Sequence, residues 1–158
     1  AMFGIMAGTY FWFPKMYGRM MDERLGKIHF ILTLIGVYCI FMPMHYLGLA
    51  GNVRRYAAFT DEYMKSGLPL HRFITYAALF TGAVQLIFLY NLFRSRFRGA
   101  PAPANPWEAT SLEWSTSSPP PFDNFGGKHP VVYRGPNEYG PSAGPTGYAM
   151  QTAPGSES

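Results

Sequence analysis

Two stretches of this chain carry no charged side chain over a length that crosses a lipid bilayer, and they restrict the fold more than any other feature. Residues 28–50 and 73–93 hold 23 and 21 residues without an Asp, Glu, Lys or Arg among them. A helix at the edge of a soluble protein keeps one polar face, so a helix that is apolar all round must lie in protein or in lipid. At helical rise each stretch spans roughly 30 Å, the thickness of the hydrocarbon core. Both are expected to be transmembrane helices. The mean hydropathy of −0.02 hides them because a polar tail dilutes the average. All 22 charged residues of the 158 lie between or after the uncharged runs.

A third uncharged run, "AMFGIMAGTYFWF" at residues 1–13, is too short to cross a membrane and stops against Pro14 and Lys15. Its end carries Tyr10, Trp12 and Phe13, the amphipathic ring pattern of a membrane–water interface. A secretory signal would have its basic residues ahead of the apolar run, so the expectation is a helix whose beginning is cut away. Residues 14–27 read as a polar loop and residues 51–72 as a longer connection. Residues 1–98 thus form the helical part, with helices at 1–13, 28–50 and 73–93. Residues 99–158 are a tail rich in Pro and Gly. From Arg94 onward lie 11 of the 14 prolines and eight of the 17 glycines. Proline removes donors and fixes φ, which excludes a packed helix or a central strand there. The last part, from about residue 140, is expected to be disordered.

Charge sets the expected orientation. Lys15, Arg19, Arg24 and Lys27 in the first loop and Arg94, Arg96 and Arg98 at the start of the tail are seven basic residues, against four (Arg54, Arg55, Lys65 and Arg72) in the 51–72 connection. The bias of Lys and Arg toward the cytoplasm puts the tail inside and the 51–72 connection outside. Arg54 and Arg55 run against that bias and therefore call for a reason of their own. The sequence pI near 9.3 is no sign of nucleic-acid binding, because the basic residues sit at helix ends rather than in a stripe.

The chemistry-bearing residues are few. Cys39 is the only cysteine, which excludes an intrachain disulfide and a thiolate cluster. His29, His45, His71 and His129 include no pair at helical ligand spacing, and His29 and His45 would be about 24 Å apart along one helix. His71 reads as an interfacial polar residue. Pro43 removes the donor to the Cys39 carbonyl and predicts a bend near the outer end of its helix. Gly4 and Gly8 stand at a spacing that admits a close helix neighbour. Gln85 and Thr81 are expected to bond neighbouring helices. No catalytic triad, phosphate loop or paired carboxylates occur in a span. What stands out is Arg54–Arg55, directly after "LGLAGNV". One reading is a pair of headgroup anchors. The other is an anion clamp, since guanidinium groups hold carboxylates bidentately and keep their charge when desolvated.

"YFWFPKMYGRMMDERLGKIHF", "FMPMHYLGLAG", "RRY" and "NPWEATSLEWSTSSPPPFDNF", in that order over residues 1 to about 125, resemble the C-terminal part of subunit I of the haem–copper cytochrome c oxidases, haem-a type and bacterial in style. The resemblance implies an all-α membrane protein: the tenth (partial), eleventh and twelfth helices of a twelve-helix bundle, followed by an extended irregular cytoplasmic tail. It implies that Arg54 and Arg55 bind the propionates of both haems, with Tyr56 a weaker contributor. Phe41 and Met44 would pack on the low-spin haem or simply fill the core. One local departure is visible: the family commonly has proline just before the arginine pair, and this chain has Asn52–Val53.

The implied enzyme reduces dioxygen to water with electrons from cytochrome c and pumps protons. It sits in the cell inner membrane beside subunits II and III, the remainder of subunit I, and lipid. Haem a and copper would be ligated by residues upstream of Ala1. The chain would then contain no catalytic or metal-ligand residue and be inactive alone. A quinol oxidase of the same superfamily and a non-catalytic membrane scaffold are the alternatives. The donor-docking face would separate the first, and a visible absorption spectrum of the assembled complex the second.

Overall fold

The computed structural model describes residues 2–53, 55, 65–136, 147 and 149–154. Three α-helices occur among them: α1 (Met2–Tyr17), α2 (Glu23–Leu49) and α3 (Leu68–Arg98). Among the described residues of the tail there is one 3-10 turn, Leu112–Ser115. No strand is present among the described residues, only an isolated antiparallel bridge between Arg19 and Pro101. The fold is all-helical, and α2 and α3 are each long and apolar enough to cross a membrane.

Each helix runs past the uncharged stretch that predicted it. Freedom from charge marks the part suited to lipid, whereas capping decides where a helix ends. α1 continues through Pro14 to Tyr17, because Gly18 takes φ +65° and its N–H reaches the Pro14 carbonyl at 2.8 Å. The helix stops where a glycine can turn left-handed, not where the proline stands. α2 begins at Glu23, within the expected loop. The Asp22 carboxylate accepts from the Leu25 N–H at 3.1 Å as N-cap, and Glu23 pairs with Lys27 at 2.7 Å one turn on. Pro69 falls in the first turn of α3, where a missing N–H costs nothing. Arg96 and Arg98 in its last turn complement the helix dipole.

The chain divides into two compact units, residues 22–93 and residues 1–21 with 94–158. In the first, α2 and α3 meet along a polar seam. His29, 3% exposed, shares a hydrogen bond of 3.0 Å between its Nε2 and Gln85 Oε1. The Gln85 amide donates to Thr33 Oγ1 at 3.3 Å and to the Thr81 carbonyl at 2.9 Å. The His29 ring also lies against Phe88, with centroids 5.4 Å apart. A Cβ on Gly36 would collide with Thr81, whose own hydroxyl donates to the Ala77 carbonyl at 2.7 Å. At the far end Asn91, fully buried, donates to the Asp22 carbonyl at 2.9 Å and accepts from the Asp22 N–H at 3.1 Å. Gln85 therefore bonds the neighbouring helix as expected, while Thr81 bonds its own helix and leaves room only for glycine opposite.

In the second unit the tail folds on α1. Residues 18–20 pair with 99–102 through Met20 N–H to Ala100 O (2.8 Å) and Ala102 N–H to Gly18 O (2.9 Å). Gly99 is required at that crossing, since a Cβ would lie 2.6 Å from the Met20 carbonyl oxygen and against that of Ser95. Trp114, 2% exposed, meets Phe11 edge-on at 5.1 Å, and Trp107 stacks on Phe11 at 6.2 Å while its indole N–H donates to the Phe11 carbonyl at 2.9 Å. Leu112 is half-buried, and Phe122 is fully exposed. The Lys15 ammonium donates to the carbonyls of Ala104 (3.2 Å), Thr116 (2.8 Å) and Ser117 (3.1 Å) and lies 4.9 Å from the Trp114 ring centre. Burial holds the Lys15 pKa below its usual value, partly countered by the Glu113 carboxylate. Further on, Gln151 ties three segments together: its N–H donates to Thr110 O at 3.1 Å, its side-chain oxygen accepts from Leu112 N–H at 2.8 Å, and its carbonyl accepts from Tyr133 N–H at 2.9 Å.

Replacing Lys15 by Met keeps the apolar stem and removes all three donors. The loss of about 1–2 kcal/mol expected for such contacts should make limited proteolysis at residues 104–117 of the membrane-embedded subunit about tenfold faster. An unchanged digestion rate would show that the lysine does not anchor the tail.

Candidate functional site

The end of α2 is built to turn the chain sharply. Ala50 is its C-cap, and Gly51 follows with φ +88°. The Asn52 N–H reaches back to the Leu47 carbonyl at 2.9 Å and the Gly51 N–H to the Gly48 carbonyl at 3.0 Å. This double closure is a Schellman motif, and it needs a residue free to adopt positive φ at Gly51. The last turn of α2 carries no basic side chain, so the negative end of its dipole faces the residues that follow.

Beside this closure lies a cavity of about 580 Å³. Phe41, Met44, Leu47, Leu49 and Val53 give it apolar walls, and His45, Asn52 and His71 supply its polar atoms. His45 Nδ1 lies 2.6 Å from the Phe41 carbonyl one turn back, which fixes the ring against its own helix. Asn52 Nδ2 lies 3.2 Å from His71 Nε2. An amide nitrogen only donates, so His71 Nε2 is the acceptor of this contact. His71 sits in the first turn of α3, where its N–H donates to the Gly67 carbonyl at 3.1 Å. The Asn52–His71 bond therefore joins the end of α2 to the start of α3.

Arg55, two residues beyond Val53, is exposed and holds φ +60°. A non-glycine residue in that left-handed region costs on the order of 1–2 kcal/mol, and such strain concentrates at sites where geometry matters. Arg54 and Tyr56, the other two members of the sequence-derived site, lie outside the described residues. Phe41 and Met44 do share one cavity wall, about half exposed. The remaining histidines play separate parts: His29 is buried in the helix seam and His129 is exposed in the tail. Sequence reasoning missed the Asn52–His71 contact, since a polar pair 19 positions apart across a connection leaves no periodic signal.

The sequence profile described as cytochrome c and quinol oxidase polypeptide I matches residues 1–80. The chain belongs to this family of haem–copper oxidase subunits I. It is 46% identical over 138 residues to the alternative cytochrome c oxidase subunit 1 of Bradyrhizobium diazoefficiens, covering 85% of this chain and 23% of the relative. Identity is also 46% over 138 residues to cytochrome c oxidase subunit 1 of Synechocystis sp., covering 87% of this chain and 24% of the relative. The haem–copper oxidase subunit I+III of Aeropyrum pernix is 43% identical over 129 residues, 82% of this chain and 15% of the relative. The chain thus spans about a quarter of the length of the first two of these relatives. Its two apolar helices and its family make it part of an integral membrane protein.

The polar seam that holds α2 to α3 gives a direct test. Gln85→Leu should leave His29 without its buried partner and weaken the helix pair by about 1 kcal/mol, and His29→Leu should cost little more once Gln85 is gone. A double-mutant cycle on the thermal stability of the assembled oxidase measures the coupling. Additive losses would show that the bond contributes nothing.

Proposed function

We propose that this chain is the part of a haem–copper oxidase subunit I that closes the outer end of the haem site, with Arg54 and Arg55 paired to the propionates of the two haems and Tyr56 contributing more weakly. The observation that carries the reading is Arg55, held in a strained left-handed conformation just past a Schellman closure and two residues from an apolar cavity wall. An apolar wall next to a cation suits a flat apolar ring that bears carboxylates, which is the character of haem a. Phe41 and Met44 then lie against the ring, and the guanidinium groups hold the acids.

On this reading the whole subunit reduces dioxygen to water with electrons from cytochrome c, coupled to proton pumping. Haem, when bound, supplies the one-electron redox chemistry. The arginines set its electrostatic surroundings, because positive charge beside the propionates stabilises the reduced centre. The propionate–arginine cluster also offers a protonatable station on the outer side. Haem a and copper would be ligated by residues of the subunit upstream of this chain, and this piece alone is inactive. Subunits II and III and cytochrome c are the protein partners, and the tail is cytoplasmic with residues 51–72 periplasmic. The names of the two bacterial relatives at 46% identity favour cytochrome c over quinol as donor.

In the full-length assembled oxidase, Arg54→Ala and Arg55→Ala should each lower a haem midpoint potential by on the order of 60 mV, the size of a tenfold change in a one-electron equilibrium. Arg→Lys at either position should recover only part of the shift, because a point ammonium does not reproduce the forked contact. Unchanged potentials, haem spectra and oxygen consumption in both alanine variants would return the arginines to the role of headgroup anchors.

A further inference from the structure

We infer that Asn52 and His71 act as positioning residues for the arginine pair: their hydrogen bond is a clasp that fixes the direction in which the chain leaves α2. The inference rests on the propionate-clamp reading above for its functional consequence, and on geometry alone for the clasp itself. Among the described residues, backbone closure ends at Asn52, whose N–H reaches back to the Leu47 carbonyl. Val53, the next residue, has no ring to restrict φ and is 60% exposed. Arg55 is then held at φ +60°, a conformation that a free chain abandons. The Asn52 side chain supplies a hold on the exit from outside the backbone, 3.2 Å from His71 Nε2 at the start of α3.

The contact is suited to the task. Both residues are only partly exposed and line the same cavity as Phe41 and Met44, where a hydrogen bond meets less competition from water than at an open surface. His71 stands on a helix whose first turn is fixed by its own N–H to the Gly67 carbonyl and by Thr75 Oγ1, which donates to the His71 carbonyl at 3.0 Å. Asn52 is fixed on the other side by the glycine turn. The bond therefore couples two anchored backbones, and the strained residue Arg55 stands three positions beyond Asn52.

The test uses the full-length assembled oxidase with Asn52→Ala, His71→Ala, the double variant, and His71→Gln, whose side-chain oxygen can still accept from Asn52. Two readouts are taken: hydrogen–deuterium exchange over residues 50–55, and the haem midpoint potentials. Either alanine variant should speed exchange at Gly51 and Asn52, whose N–H groups close the end of α2, by roughly three- to tenfold, the population change that follows loss of one hydrogen bond. The same variants should move a midpoint potential in the direction of Arg55→Ala but by less. The double variant should be no worse than either single one, and His71→Gln should recover most of both effects. Exchange that is unchanged in the alanine variants, or additive losses in the double variant, would overturn the clasp. Faster exchange with potentials unmoved in Arg54→Ala and Arg55→Ala as well would uphold the clasp and refute the propionate reading instead. Faster exchange with potentials that respond to the arginine variants but not to Asn52→Ala or His71→Ala would overturn the positioning role.

Discussion

A peptide group in hydrocarbon has no water to bond, so every N–H and C=O in an apolar span must be satisfied within the span itself. That constraint makes α2 and α3 helices, and it also governs how they meet. Lipid-facing apolar side chains give little preference for one helix register over another, since leucine gains nothing by exchanging lipid for leucine. The specific contacts are polar. His29, Gln85 and Thr33 form one linked set, Asn91 with the backbone of Asp22 forms another, and Gly36 against Thr81 sets the closest approach. Sliding α3 by one turn would break both sets at once and drive Thr81 away from Gly36, where the missing Cβ makes room for it. The pair is therefore locked by a handful of atoms, and the apolar surface around them is free to face lipid or other helices.

The same constraint explains why so much of the structure is decided at helix ends. Within a span the backbone looks after itself; at its ends, carbonyls and N–H groups need partners from elsewhere. Asp22 supplies one partner with its side chain. Gly18, Gly51 and Gly99 supply theirs by folding the chain back, two of them at positive φ and the third because a neighbouring backbone leaves no room for a Cβ. The closure at Gly51 has the largest consequence, because it delivers Asn52 to His71 and begins the path to Arg55.

How much of this could be read beforehand follows from the range of each signal. The helices were legible because absence of charge over a bilayer's width is a property of twenty consecutive residues, and the family because four motifs occur in order. The ends were not. Pro14 looked like a stop and Glu23 like a loop residue, yet a glycine four positions after the one and an aspartate just before the other decided both boundaries. Arg54 and Arg55 stood out as a charged doublet beside an apolar run, and the role proposed for them came from the resemblance; only Arg55 falls among the described residues. Contacts between distant segments had no local signature at all. Asn52 finds His71 across a connection, and Lys15 finds carbonyls about a hundred positions away.

Lys15 and Arg55 show how the choice of cation bears on the difference between a structural role and the recognition role proposed for Arg55. Three carbonyl oxygens converge on the Lys15 ammonium from different directions, at 2.8 to 3.2 Å, with the Trp114 ring beside it. A compact head with three rotatable donors fits that arrangement, and a planar fork would reach at most two of the three in good geometry. The pKa held down by burial is the cost of keeping a charge there, offset by bonds to neutral dipoles and in part by the Glu113 carboxylate. A lysine so placed is consumed by the fold and has nothing left to bind. Arg55 is the reverse case: exposed, in a conformation its backbone disfavours, two positions along the chain from an apolar cavity wall, and carrying a rigid fork whose natural complement is a carboxylate. Strain at a residue that the fold does not use is a reason to look outside the chain for what it holds.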